Sequence, residues 1–134
     1  MKFKKVLLID DSEIDNYINK AIIEKAAYVS SIEIETSALD ALEYLNKIKN
    51  KPHRFPDIIF LDIRMPEMNG FEFMEEYVKL PEDVRRNCEV FLLSSSIDPL
   101  DSLRARSFKD IKKHLTKPLA HHPLSEIIDF GYVG

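Results

Sequence analysis

Five short apolar runs recur along this chain, each followed by a segment of helical spacing, and that alternation constrains the fold more than any other feature. The runs are residues 5–9, 32–34, 58–61, 90–93 and 111–115, with the length and the β-branched or aromatic content of strands. The third and fourth are apolar almost throughout, as strands are when both faces of a parallel sheet are covered. In residues 12–27, Ile14, Ile18, Ala21, Ile22 and Lys25 fall near one helical face, and Ser12 with Asp15 resembles a capping pair. Residues 37–49 set Leu39, Leu42, Leu45 and Ile48 three apart, with Lys47, Lys49 and Lys51 where they suit the negative end of a helix dipole. Residues 70–80 carry Phe71, Phe73, Met74 and Val78 before Pro81 stops the helix. Residues 99–107 and 123–130 supply a fourth and a fifth helix.

Parallel strands joined by right-handed crossover helices are the economical solution to such an order. The expected architecture is therefore α/β: one doubly wound (βα)5 domain over residues 1–134, a three-layer sandwich. A chain of 134 residues, 45% apolar and 31% charged, is long enough to bury a core without staples. Its one cysteine, Cys88, cannot form an internal disulfide and suits a reducing compartment. The net charge of −4 gives no broad attraction for nucleic acid or an anionic membrane. The apolar run after Lys2, Lys4 and Lys5 stops at Asp10-Asp11, short of the roughly 7–15 residues an export signal needs. No stretch approaches the roughly 18 apolar residues of a membrane span. The expectation is a soluble cytoplasmic protein with neither nucleic acid nor membrane as partner.

In open α/β sheets the ligand crevice lies at the carboxyl ends of the strands. There the first run ends in Asp10-Asp11, the third in Asp62, the fourth in Ser94-Ser95-Ser96 and the fifth in Thr116-Lys117-Pro118. If the strands are parallel, these groups meet on one rim. Two like charges 4 Å apart cost about 1 kcal/mol in water and about 4 kcal/mol at an effective dielectric of 20. A divalent cation relieves that repulsion, and all-oxygen ligands favour Mg²⁺ or Mn²⁺ over softer metals. Lys117 adds a fixed positive charge and Ser94 a hydroxyl that can donate to a phosphate oxygen. Together they make a phosphoryl-transfer site with an aspartate as nucleophile.

At this point the chain resembles a known family. Val6-Leu7-Leu8-Ile9-Asp10-Asp11-Ser12 is similar to the opening of two-component response-regulator receiver domains, and residues 58–70, with Asp62 followed by Met65-Pro66-Glu67-Met68-Asn69-Gly70, resemble their phosphoacceptor segment. Ser94 and Lys117-Pro118 complete the set, and the resemblance covers roughly residues 4–130. It implies a flavodoxin-like fold with strand order 2-1-3-4-5. It implies that Asp62 accepts a phosphoryl group from a sensor histidine kinase or histidine phosphotransfer protein, and that Asp11, Asp62 and the backbone carbonyl of Arg64 ligate Mg²⁺ (or Mn²⁺), Asp10 acting through a metal-bound water. Lys117 would pair with phosphoryl oxygens, Ser94 would swing to meet one of them, and Pro118 would hold its turn through a cis bond. The output surface would be the fourth helix, fifth strand and fifth helix, read by a downstream protein; a weak homodimer is a further expectation. Such a protein is a switch, not an enzyme.

The sequence departs from the family's pattern at three places. The position three before the lysine, commonly Tyr or Phe, is His114, which brings a pH-sensitive group to the switch. The hydroxyl at the end of the fourth run is read as Ser94 from the apolar register through Leu93, with Ser95 the alternative on counting back from Lys117. Residues 107–110, Ser-Phe-Lys-Asp, replace the small-residue turn expected before the fifth strand. No effector module is expected after Phe130. The rival readings are a pseudo-receiver that binds partners without taking phosphate, a haloacid-dehalogenase-type phosphatase, which lacks here its Asp-x-Asp motif, and a flavodoxin, which lacks its phosphate loop. Cys88 is expected to be structural or merely exposed, His121-His122 to start the last helix, and Phe71, Phe73 and Met74 to be core.

Overall fold

Each apolar run is a strand in the computed structural model, which describes residues 4–25 and 29–121. β1 (Lys4–Ile9), β2 (Val29–Glu35), β3 (Ile58–Asp62), β4 (Glu89–Ser94) and β5 (Ile111–Thr116) form one sheet in the order β2-β1-β3-β4-β5. Every neighbouring pair is parallel. β3 is buried at all five positions, which accounts for its unbroken apolar run, while the edge strands β2 and β5 keep exposed residues.

The helices cover both faces. On one, Leu7, Ile9, Ile59, Leu61, Val90 and Leu92 pack under α2 (Ala38–Ile48) and α3 (Gly70–Tyr77). On the other, Val6, Leu8, Ile58, Phe60, Phe91 and Leu93 meet Ile23 of α1 (Glu13–Glu24) and Leu119 of the 3₁₀ turn Leu119–His121. Successive residues of each strand thus enter opposite cores, the period-two geometry of a pleated strand. Each fully buried Leu, Ile or Phe stabilises the fold by roughly 1.5–3 kcal/mol.

Three helical expectations change. The inward face of α1 is Asn16, Asn19 and Ile23, whereas Ile14 and Tyr17 are 73% and 79% exposed. The asparagines are inside because they tie backbone: Asn16 Nδ2 donates to the Asp10 carbonyl at 2.8 Å, and Asn19 Oδ1 accepts from the Leu119 N–H at 3.2 Å. In α2 the buried stripe is Ala38, Ala41, Leu45 and Ile48, leaving Leu39 exposed. A strict three-residue spacing falls behind a turn of 3.6 residues. Past Pro81 the chain makes a short helix that the pattern does not predict, α4 (Glu82–Arg85), with Val84 buried. α5 (Pro99–Ala105) is capped by Asp98 and buries Ala105. The helix expected over residues 123–130, and the last two residues of the segment 12–27, lie outside the described residues.

At the amino end of the sheet, charges are neutralised in pairs. Arg85 Nη1 donates to Asp110 at 2.8 Å with both side chains nearly buried, and Lys5 lies 3.8 Å from Asp57. A surface cavity of about 600 Å³ opens there, bordered by Lys4, Asp57, Arg85, Glu89 and Asp110. Cys88 is buried beside it, and burial pushes its thiol up to about 12, so it is a neutral, inert side chain at physiological pH. No helix among the described residues is long and apolar enough to cross a membrane.

Candidate functional site

The strand order reverses between β1 and β3, so the carboxyl ends of these two strands flank the crevice where doubly wound sheets bind ligands. Asp10 leaves β1 and Asp62 ends β3, and both are buried at 0% and 3% exposure. Asp11 is exposed at the mouth. One carboxylate oxygen from each of Asp10, Asp11 and Asp62 lies within 4.8 Å of the others.

Gly70 closes the loop behind Asp62. Its N–H donates to the Ile63 carbonyl at 2.8 Å, and a Cβ there would sit 2.8 Å from the Asp62 carbonyl oxygen, so no other residue fits without moving the backbone that carries Asp62. Asn69 and Glu72 then start α3 with reciprocal side-chain-to-backbone bonds, a capping box. On the far side, the Lys117 N–H donates to the Ser94 carbonyl at 2.8 Å, and the Lys117-Pro118 bond is cis.

Lys117 reaches across the rim. Its Nζ donates to Asp10 Oδ2 at 2.9 Å and Asp15 Oδ2 at 2.9 Å, and lies 3.3 Å from Asp62 Oδ1. Burial alone would lower its pKa, but Asp15, Asp10 and Asp62 around it hold it above the ordinary lysine value. Burial raises Asp10, against the pull of the Ser12 N–H and Lys117. Burial, reinforced by the neighbouring Asp10 charge, pushes Asp62 up to about 6 despite Lys117. Such a carboxyl is still mostly ionised at pH 7, and its charge is poorly solvated.

Asp15 is the member of this cluster that the sequence hides. Ser12 does cap α1, accepting from the Asp15 N–H at 3.1 Å. The Asp15 carboxylate does not return to complete a capping box; it turns to Lys117, while the Ser12 N–H donates to Asp10 Oδ1 at 2.9 Å instead. The only signal available was its place one turn into a helix that starts at the rim.

Ser94 is buried at the end of β4 and Ser95 is exposed. Ser94 Oγ lies 2.6 Å from the Ser96 carbonyl oxygen and 2.8 Å from His114 Nε2. His114 is half-buried in β5, which lowers its pKa, and its Nδ1 is 3.4 Å from Ser102 Oγ. The Arg64 side chain is exposed and pairs with Asp101 of α5. His121 closes the 3₁₀ turn Leu119–His121, and His122 with the helix the pair is expected to start lies outside the described residues.

The donor set fits a hard divalent cation. It is all oxygen, it gathers three carboxylates within bonding reach of one ion, and among the described residues the ammonium paired within it is that of Lys117.

Comparison with known proteins agrees with this geometry. The family described as the response regulator receiver domain matches residues 6–129. A two-component response regulator from Cytophaga hutchinsonii superposes with a TM-score of 0.90 at 33% identity, over 100% of both chains. A response regulator receiver protein from Dyadobacter fermentans gives 0.81 at 32% identity, over 96% of this chain and 97% of its own. The chemotaxis protein CheY of Thermotoga maritima is 35% identical over 82 residues, 61% of this chain and 62% of its own length, so the match spans less than two thirds of that relative. With its parallel sheet in the order 2-1-3-4-5 and its acidic rim at the strand ends, the chain belongs to the response regulator receiver family of two-component signalling.

Proposed function

We propose that this rim is the phosphoryl-accepting centre of a signalling switch, with Asp62 as acceptor and a phosphohistidine on a sensor histidine kinase or histidine phosphotransfer protein as donor. Receiver domains are signalling switches and generally not enzymes. The observation that carries the reading is Lys117, 107 residues from Asp10 in sequence, with its Nζ 2.9 Å from Asp10 and 3.3 Å from Asp62.

The chemistry follows from the side chains. An ionised Asp62 oxygen attacks phosphorus, the donor's P–N bond breaks, and the leaving imidazole nitrogen takes a proton. The product is an acyl phosphate on Asp62 and a neutral histidine on the donor. Lys117 is placed to pair with the new phosphoryl oxygens, and Ser94 to donate its hydroxyl proton to one of them. Asp10, Asp11, Asp62 and the Arg64 carbonyl would hold Mg²⁺ or Mn²⁺. When bound, that ion neutralises the charge between carboxylates and phosphoryl oxygens.

The output is a shift in population. New negative charge at the rim biases α5 and β5 between two arrangements, and a downstream protein that prefers one of them reads the change. α5 is suited to move, because it buries Ala105 while Leu100 and Leu103 remain exposed. Asp62 can lose its phosphoryl group by self-catalysed hydrolysis, so the switch resets without a separate active site.

Intact mass after incubation with acetyl phosphate and Mg²⁺ tests the reading. The expected result is one phosphoryl adduct that needs the metal and disappears in Asp62→Asn. No adduct, with no spectral change on adding beryllofluoride, would overturn it in favour of an interaction module that is never phosphorylated.

A further inference from the structure

We propose that Ser102 and His114 form a hydrogen-bonded relay that fixes the direction of the Ser94 hydroxyl, with His114, held in its Nε2–H form by Ser102, as a positioning residue for Ser94. The inference rests on the phosphoryl-accepting reading of the rim and deepens it.

The proton count decides the orientation. Ser94 Oγ is 2.6 Å from the Ser96 carbonyl oxygen, which only accepts, so the single hydroxyl proton of Ser94 is committed there. The contact of 2.8 Å between Ser94 Oγ and His114 Nε2 then requires the hydrogen to sit on Nε2. Burial keeps the ring neutral near pH 7, so Nδ1 carries a bare lone pair. The group facing that lone pair is Ser102 Oγ at 3.4 Å, a hydroxyl free to rotate its proton toward it. Arg64 and Asp101, the charged groups beside the ring, act on it in opposite directions and are paired with each other.

The consequence is directional. With an N–H of His114 aimed at one of its two lone pairs, Ser94 Oγ cannot turn its own proton toward the ring and donates away from it. Its acceptor is the Ser96 carbonyl in this state and a phosphoryl oxygen once Asp62 carries one. Phenylalanine at position 114 could pack there but would supply no N–H. Ser102 also places one end of the relay on α5, so that displacement of the helix frees Nδ1 and lets the ring change tautomer. The position of α5 and the donor direction of Ser94 are thereby linked.

The test uses the full chain labelled with ¹⁵N-histidine, the His114 signals being assigned by their loss in His114→Gln. The expected spectrum of the unphosphorylated protein shows Nε2 protonated and Nδ1 bare, and Ser102→Ala shifts the ring toward a mixture of tautomers. An Nδ1–H ring, or a tautomer ratio unmoved by Ser102→Ala, overturns the relay. The second arm is the rate of Asp62 phosphorylation by acetyl phosphate. His114→Phe is expected to slow it about fivefold, the worth of one ordinary hydrogen bond. His114→Gln, whose amide places an N–H where Nε2 lies, should recover most of the loss. Equal rates in the two variants, with thermal melts showing both folded, overturn the positioning role. Absence of any adduct on the parent protein overturns the phosphoryl reading itself, while the tautomer measurement still decides the relay.

Discussion

The two ends of the sheet treat charge in opposite ways. At the amino end, Arg85 meets Asp110, Lys5 meets Asp57, and Lys112 lies 3.7 Å from Glu89. Each of these ions has a counter-ion, and the cavity there is bordered by both signs. At the carboxyl end, Asp10, Asp15 and Asp62 share Lys117, and Asp11 joins the cluster without a share of it. The first arrangement is at rest. The second holds excess negative charge partly out of water, which costs free energy unless a cation or a proton arrives. A binding centre differs from a structural ion pair in that imbalance, and the difference can be measured.

The largest expected effect is from Lys117→Met. Removing the shared ammonium leaves the buried carboxylates of Asp10 and Asp62 without a counter-ion, and should cost about 3–5 kcal/mol of stability at pH 7 in metal-free buffer, read by urea denaturation. The loss should shrink at pH 5, where the carboxyls take up protons, and on adding Mg²⁺. Arg85→Met strands Asp110 in the same way at the other end and should cost about 3 kcal/mol. Its urea midpoint, unlike that of Lys117→Met, should not respond to Mg²⁺. A Mg²⁺ response shared by both variants would erase the contrast between the ends.

A gain is expected from Asp62→Asn. Asp62 is held at about 6 against an ordinary 3.8, so the folded state binds its proton more tightly than the unfolded state does. The resulting penalty is absent below the unfolded value, grows between the two, and is fully present above about 6. Removing the charge should therefore stabilise the metal-free protein by about 2–3 kcal/mol at pH 7, and by clearly less at pH 5. A stability profile unchanged in shape by Asp62→Asn would mean that this carboxyl is not the strained one. The smallest effect belongs to an exposed pair: Glu43→Gln breaks the bond of Lys47 across one turn of α2 and should change stability by less than about 0.5 kcal/mol, marking the floor against which the buried sites are judged.

Much of this was legible in the residues. Strand positions were readable because β3 and β4 lie in the sheet interior, where both faces must be apolar, so their runs carry no polar interruption. Asp10, Asp11, Asp62 and Lys117 were readable because each stands within two residues of the end of a strand-like run. The inward face of α1 was not, because Asn16 and Asn19 are inside to bond backbone groups of distant segments, and a hydrophobic period has no way to represent a buried asparagine. α4 was missed because four residues are too few to show a period.

By itself the sequence determined the alternation, the parallel sheet and which charged residues stand at strand ends, since these depend on local spacing and on the burial of apolar side chains. Only the tertiary structure decided which groups touch. That Asp15 leaves its capping role for Lys117, that His114 presents Nε2 to Ser94, and that Ser102 of α5 faces the other side of the ring all depend on where crossover helices come to rest on the sheet. Hydrogen bonds and ion pairs act over a few ångströms, and distances of that size between residues far apart in the chain are set by packing rather than by spacing.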